Sequence, residues 1–261
     1  MGLPCSPLVI ATNSNDILHR FMTTGTYSKE PVQGAAASCG IANDGAKAHS
    51  SGVRETLSPA MDILISSNFE RLLACLAFDF YSSSSHPDTA TKLQIGRSQV
   101  GTWLQDLKTK GGFTVDPAIL AAAQTHFSSE RVDDEETIST IRSAYSSFFP
   151  QVANSEGTTG KTGGYILDPH SAIGIAASLR SIPKHKPPVY TISLATAHPA
   201  KFANAVDLAL KAEEGYSFDD VLPQQFKDLE KMPRRVEAIG KDERMERVRD
   251  LIMRKVPSSG R

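Results

Sequence analysis

Apolar positions along this chain follow two rhythms. Short apolar runs bounded by polar turns predict strands, and stripes at three- and four-residue spacing predict helices. Leu8 to Ala11 is the first run, with β-branched Val9 and Ile10, and it stops at Thr12-Asn13-Ser14-Asn15. Ile17, Leu18 and Phe21 then fall at helical spacing, with Asn15 placed as the N-cap and Asp16 in the first turn. The predicted unit is strand, loop, helix.

The middle of the chain has the helical rhythm alone. Phe69, Leu72, Leu73, Leu76 and Phe80 form one stripe, preceded by Ser67-Asn68-Phe69-Glu70 with the spacing of a capping box. Val100, Trp103, Leu104 and Leu107 predict a second helix, stopped by Gly111-Gly112. Asp116-Pro117 opens a third, and Ile138, Ile141, Tyr145 and Phe148 mark a fourth behind the acidic Asp133 to Glu136. Strand–helix alternation then returns. Tyr165 to Leu167 predicts a strand, Asp168-Pro169 caps a helix to about Ile182, and Val189 to Leu194 predicts a further strand. Beyond it, Phe202, Val206, Ala209 and Leu210 share a helix face, and Met245, Val248, Leu251 and Ile252 share another.

The pattern predicts an α/β protein whose strands join in parallel, since each is separated from the next by a helical crossover. Only about three strands are visible, so the sheet is partial and its remaining strands come from elsewhere. The divisions are a strand–loop–helix unit over 1–32, a flexible insertion over 33–54 and a helical region over 55–150. A flexible loop over 151–164, strand–helix units over 165–216 and a helical extension over 217–261 complete the chain. The insertion is read from its Ala, Gly, Ser and Asn content, which offers little apolar surface against the entropy of ordering.

Composition narrows the function. A formal charge of −1 gives no electrostatic case for nucleic acid or an acidic membrane. No apolar run approaches the roughly 20 residues of a membrane span. Cys5, Cys39 and Cys75 are odd in number and without C-x-x-C spacing, which fits a reducing, cytoplasmic setting.

The candidate chemistry gathers where predicted strands end. Thr196 and His198 follow the strand ending at Leu194, and Pro199 opens the next helix, the place where open α/β sheets collect ligands. On residue type alone they serve either a ligand or the orphan N–H groups of that helix. Asn13 and Asn15 occupy the corresponding loop after the first strand, as pocket lining or turn formers, and His170 stands beside Pro169 at another helix start. Lys201 reads as a solvated helix residue. No Gly-rich loop stands between a strand and a helix cap to cradle a phosphate. As a remote reading from a different class, Asp62, His170 and His198 would hold the metal of a hydrolase.

Four segments, in order, carry a resemblance. A-T-N-S-N-D-I-L (Ala11 to Leu18), L-S-P-A-M-D-I-L-I-S-S-N-F-E-R-L (Leu57 to Leu72), Y-I-L-D-P-H-S-A (Tyr165 to Ala172) and T-A-H-P-A-K-F (Thr196 to Phe202) resemble the threonine synthases, most of all the fungal members. The resemblance implies the partial three-layer parallel sheet of the fold type II pyridoxal 5'-phosphate enzymes, with a large helical insertion, and places 1–32 and 165–216 in the cofactor domain. It implies conversion of O-phospho-L-homoserine and water to L-threonine and phosphate, the last step of threonine biosynthesis. It places Thr196 where a hydroxyl meets the pyridine nitrogen. Ser58, Asp62, Asn68 and Arg71 belong to its second segment without assigned roles. The family's Schiff-base lysine and phosphate loop precede the segment matched by Ala11 to Leu18. The expectation is therefore a carboxyl-terminal half, inactive alone, that needs a complementary amino-terminal half and leaves an open apolar face without it. No oligomeric state follows.

Overall fold

A computed structural model describes residues 7–29, 53–82, 88–148, 164–182, 190–234, 236–240 and 245–255. The predicted insertions at 33–54 and 151–164 fall almost wholly outside these residues. In chain order the elements are β1 (Leu8–Thr12), α1 (Ile17–Thr24), β2 (Thr26–Ser28), α2 (Phe69–Ser82), α3 (Thr89–Thr109), β3 (Gly112–Thr114) and α4 (Pro117–His126). They continue with β4 (Phe127–Arg131), α5 (Asp134–Ser143), α6 (Pro169–Ser181), α7 (Ala203–Leu210), α8 (Phe218–Val221) and α9 (Met245–Lys255). The chain divides into two units, Met1–Val221 and Leu222–Arg261.

In the first unit β1 and β4 pair in parallel, with Leu8 opposite Phe127 and Thr12 opposite Arg131. Val9 and Ala11 on β1 pack with Val132, Ile173, Ala176 and Ala177, which seats α6 against this pair. A separate antiparallel pair joins β2 to β3, with Tyr27 opposite Phe113. Those two rings sit within a run of stacked aromatics, Phe69 on Tyr27, Tyr27 on Phe113, and Trp103 on Phe113. With Phe21, Leu73, Leu107 and Ile119 they form the core between α1, α2, α3 and α4. Burial of each large side chain contributes about 1.5–3 kcal/mol before entropy is counted. A further core joins α5, α6 and α7 through Ile141, Tyr145, Leu167, Val206 and Leu210.

Local chemistry sets the helix ends. The carboxylates of Asp88, Asp116, Asp133 and Asp168 each accept from a backbone N–H in the first turn of the helix that follows. Such caps are worth about 1 kcal/mol each. Helix α1 closes on Gly25, whose φ of 74° puts it in the left-handed region where a side chain would be strained.

Several expectations are corrected. The region over 55–150, expected to be helical, holds α2 to α5 and also the short strands β3 and β4. β4 reads F-S-S-E-R, with no apolar alternation to betray a strand; pairing with β1 fixes it. Tyr165 to Leu167 and the described part of the later run, Tyr190 to Leu194, are not strands and have no ladder partners among the described residues. Asp16, without a side-chain cap bond, takes the position expected of Asn15 at the start of α1. The helix expected from Pro199 begins as a 3-10 turn, Pro199–Phe202, before α7.

The second unit holds α9 and short 3-10 turns at Gln224–Phe226 and Leu229–Lys231. No residue of α9 is buried, and Met245, Ile252 and Met253 are exposed. Lys255 Nζ lies 2.7 Å from Glu237 Oε1, and this cation holds the Glu237 carboxyl below its ordinary range.

Candidate functional site

The loop after β1 is built around Asp62. Its Oδ1 accepts from Asn13 Nδ2 at 2.8 Å, Asn15 Nδ2 at 2.8 Å and Thr56 Oγ1 at 2.7 Å, while Oδ2 accepts from the Thr56 N–H at 2.9 Å. Asn13 Nδ2 also lies 2.9 Å from Ser58 Oγ, and Asn13 Oδ1 accepts from the Asn15 N–H. Asn15 makes two bonds with the Arg54 backbone, donating to its carbonyl and accepting from its N–H. Asn13, Asn15 and Ser58 are buried. Four donors therefore converge on one carboxylate. The two asparagines expected near a pocket thus spend their amides in this network. Of the unassigned residues, Asp62 and Ser58 belong to it, whereas Asn68 accepts from Arg71 Nη2 on the exposed start of α2.

A second network stands at the start of α6. Asp168 Oδ1 accepts from the His170 N–H at 2.9 Å and lies 3.0 Å from His170 Nδ1, and Asp168 Oδ2 accepts from Ser171 Oγ. His170 Nε2 accepts from the Ala60 N–H at 3.2 Å. An accepting Nε2 requires the ring proton on Nδ1, so Asp168 and Ala60 together select that tautomer. Phe202 lies against the ring at 4.4 Å between centroids. The capping task at this helix belongs to Asp168; His170 ties the helix start to the loop that carries Asp62.

Ser171 extends the network to Thr196. Its hydroxyl oxygen accepts from the Thr196 N–H at 3.1 Å. That bond fixes the Thr196 backbone while its side chain stays exposed, and the Thr196 hydroxyl has no partner among the described residues. Two residues on, His198 Nδ1 accepts from the Ala200 N–H at 3.2 Å as the N-cap of the 3-10 turn, and Lys201 in that turn is exposed. Ser171 was not singled out by sequence, although its place three residues after the capping Asp168 is the available signal.

The run before Thr196 lies on α6. Ser193 Oγ would sit 2.8 Å from a Cβ added at Gly174, so glycine permits this approach. Tyr190, Ile192 and Leu194 are exposed, at 103%, 84% and 77%. Only Ser193 in this run is partly covered, so three large apolar side chains within five residues stand in solvent.

The metal-hydrolase alternative fails on geometry. Among the described residues no group of histidine, cysteine, aspartate and glutamate side chains is arranged to hold a metal ion. Asp62 and His170 already direct their lone pairs to N–H and O–H donors. Among those residues, too, no helix is long and apolar enough to cross a membrane.

Comparison with known proteins gives this geometry a family. The model described as threonine synthase, C-terminal, matches residues 171–252. Threonine synthase of Saccharomyces cerevisiae is 43% identical over 242 residues, spanning 92% of this chain and 40% of the relative. That of Schizosaccharomyces pombe is 42% identical over 231 residues, spanning 88% and 39%. The crystal structure of the yeast enzyme superposes with a TM-score of 0.74 at 40% identity, covering 97% of this chain and 42% of the other. A pyridoxal-phosphate-bound threonine synthase from Brucella melitensis gives 0.56 at 35% identity, covering 89% and 37%. The chain spans about 40% of the length of these relatives. It belongs to the threonine synthase family and matches the carboxyl-terminal part of its members.

Proposed function

We propose that this chain forms one wall of a pyridoxal-phosphate site that converts O-phospho-L-homoserine and water to L-threonine and phosphate. The observation that carries this reading is Thr196, whose N–H is held by Ser171 while its hydroxyl stays exposed and unbonded among the described residues. Such a hydroxyl fits the edge of a pyridine ring, because it either donates to or accepts from the ring nitrogen without imposing a charge. The cofactor, when bound, supplies the electron sink.

The chain's residues act by placement. Ser171 and Asp168 set the height of Thr196, His198 caps the turn behind it, and Asn13 and Asn15 hold the loop after β1 rigid against Asp62. The resemblance implies that the Schiff-base lysine and the phosphate cradle lie outside the matched part, which spans 40% of the yeast relative. In this reading 1–32 and 165–216 belong to the cofactor layer and 55–150 is the helical insertion. The setting is cytoplasmic.

The same reading assigns an occupant to the exposed run at 190–194. The remainder of the family's fold, on the same polypeptide or another, adds a strand beside it and covers Tyr190, Ile192 and Leu194. Without that remainder the chain is a non-catalytic piece.

Assay of phosphate release and L-threonine formation tests this, first with the chain and pyridoxal phosphate, then with the unmatched amino-terminal part of the yeast relative added. Turnover is expected in the mixture only, and Thr196→Val lowers its kcat at least about tenfold, the effect of losing a group that contacts the cofactor. Borohydride reduction of the chain with pyridoxal phosphate alone labels no lysine. Turnover by the chain alone, stable labelling of Lys201, or full activity of the Thr196→Val mixture would overturn the proposal.

A further inference from the structure

A cavity of about 270 Å³ opens between α2, α3 and the β2–β3 pair, lined by Leu73, Leu104, Leu107, Tyr27, Phe69 and Phe113. Its aromatic wall is rigid, because Tyr27 stacks between Phe69 at 5.0 Å and Phe113 at 5.5 Å. Ligand pockets for drug-sized molecules run to about 300–1,000 Å³, so this one suits a smaller guest. The rim is polar and carries both signs, Glu70 on α2 and Lys108 on α3. Both are exposed, and neither has an ion-pair partner among the described residues.

Tyr27 adds a buried polar group. It is 1% exposed, and its hydroxyl oxygen accepts from the Ser66 N–H at 3.0 Å. Its own proton has no acceptor among the described residues. Burial raises its pKa, so the phenol keeps that proton at neutral pH. A donor in the wall, a cation and an anion at the rim, and an apolar floor match a zwitterion with an apolar body.

We propose that this cavity binds a free α-amino acid with an apolar side chain. The side chain lies on the Tyr27, Phe69 and Phe113 wall, the α-carboxylate faces Lys108 and the α-ammonium faces Glu70. This inference does not depend on the catalytic reading.

Titration of the full chain with L-leucine, 4-methylpentanoate and 3-methylbutan-1-amine tests it by calorimetry. Emission from Trp103, the single tryptophan, reports independently because its ring stacks on Phe113 at 5.8 Å. Saturable L-leucine binding is expected, with each analogue at least about threefold weaker, the scale of one exposed charge pair. Lys108→Gln brings L-leucine down to the level of the amine, and Leu104→Phe, which fills the cavity, reduces binding more than about tenfold. Lys108 is exposed, so its substitution keeps the test valid even where the filled variant folds poorly. Absence of saturable L-leucine binding, equal affinity for the two analogues and L-leucine, or an unchanged Lys108→Gln titration would overturn the proposal.

Discussion

The loop around Asp62 and the run from Tyr190 to Thr196 are both candidate walls of one site, yet they are finished to different degrees. Around Asp62, Asn13, Asn15 and Thr56 all find partners within the chain. Along 190–194 the apolar side chains Tyr190, Ile192 and Leu194 face solvent, and the run has no ladder partner among the described residues. The first region is stabilised by what this chain contains. The second, in the function proposed above, is where the remainder of the family's fold would pack.

That contrast can be broken from the closed side first. Phe21→Ala removes a fully buried ring from the core beside α1 and is expected to cost about 3–5 kcal/mol in denaturant unfolding. Asp62→Ala strands the donors of Asn13, Asn15 and Thr56 and should cost about 3 kcal/mol, with faster amide exchange over 13–15 and 54–58. A loss below about 0.5 kcal/mol would mean that the network does not hold the loop.

A smaller, pH-dependent effect sharpens the closed side. The Tyr216 hydroxyl donates to Asp207 Oδ1 at 2.6 Å, and burial first, then that bond, raises its pKa above the ordinary 10.0. The folded chain therefore keeps a proton that the unfolded chain releases. This contribution is complete below about pH 10 and is lost as pH rises towards the folded pKa. Tyr216→Phe should cost about 1 kcal/mol at neutral pH and flatten the alkaline fall in Tm.

The smallest effect belongs to the open side. Replacing Tyr190, Ile192 or Leu194 by serine should alter the stability of the chain alone by less than about 0.5 kcal/mol each, because nothing is packed there to lose. The same changes should weaken association with the remainder of the family's fold, read as a higher concentration needed for half-maximal turnover.

What the sequence disclosed follows the range of the forces involved. Helices α2 to α7 were legible because their signals are local: stripes at helical spacing, an aspartate before the first turn of α4, α5 and α6, and Gly111 just past the end of α3. β4 was not, because F-S-S-E-R becomes a strand only by pairing with residues more than a hundred positions earlier. The Asp62 network was equally hidden, since Asn13 and Asn15 meet it across 49 and 47 residues. Thr196 was legible as a position and through family resemblance. The bond that fixes it, from its N–H to Ser171, was not.

Amide hydrogen exchange over residues 190–196 tests the central claim most directly, measured on the chain alone and after addition of the unmatched amino-terminal part of the yeast relative. The account predicts rapid exchange over 190–194 in the isolated chain, slower exchange at Thr196 behind its Ser171 bond, and strong protection of the whole run once the remainder is added. Protection of 190–194 in the chain alone, or catalytic activity of the mixture with those amides still exchanging freely, would contradict it.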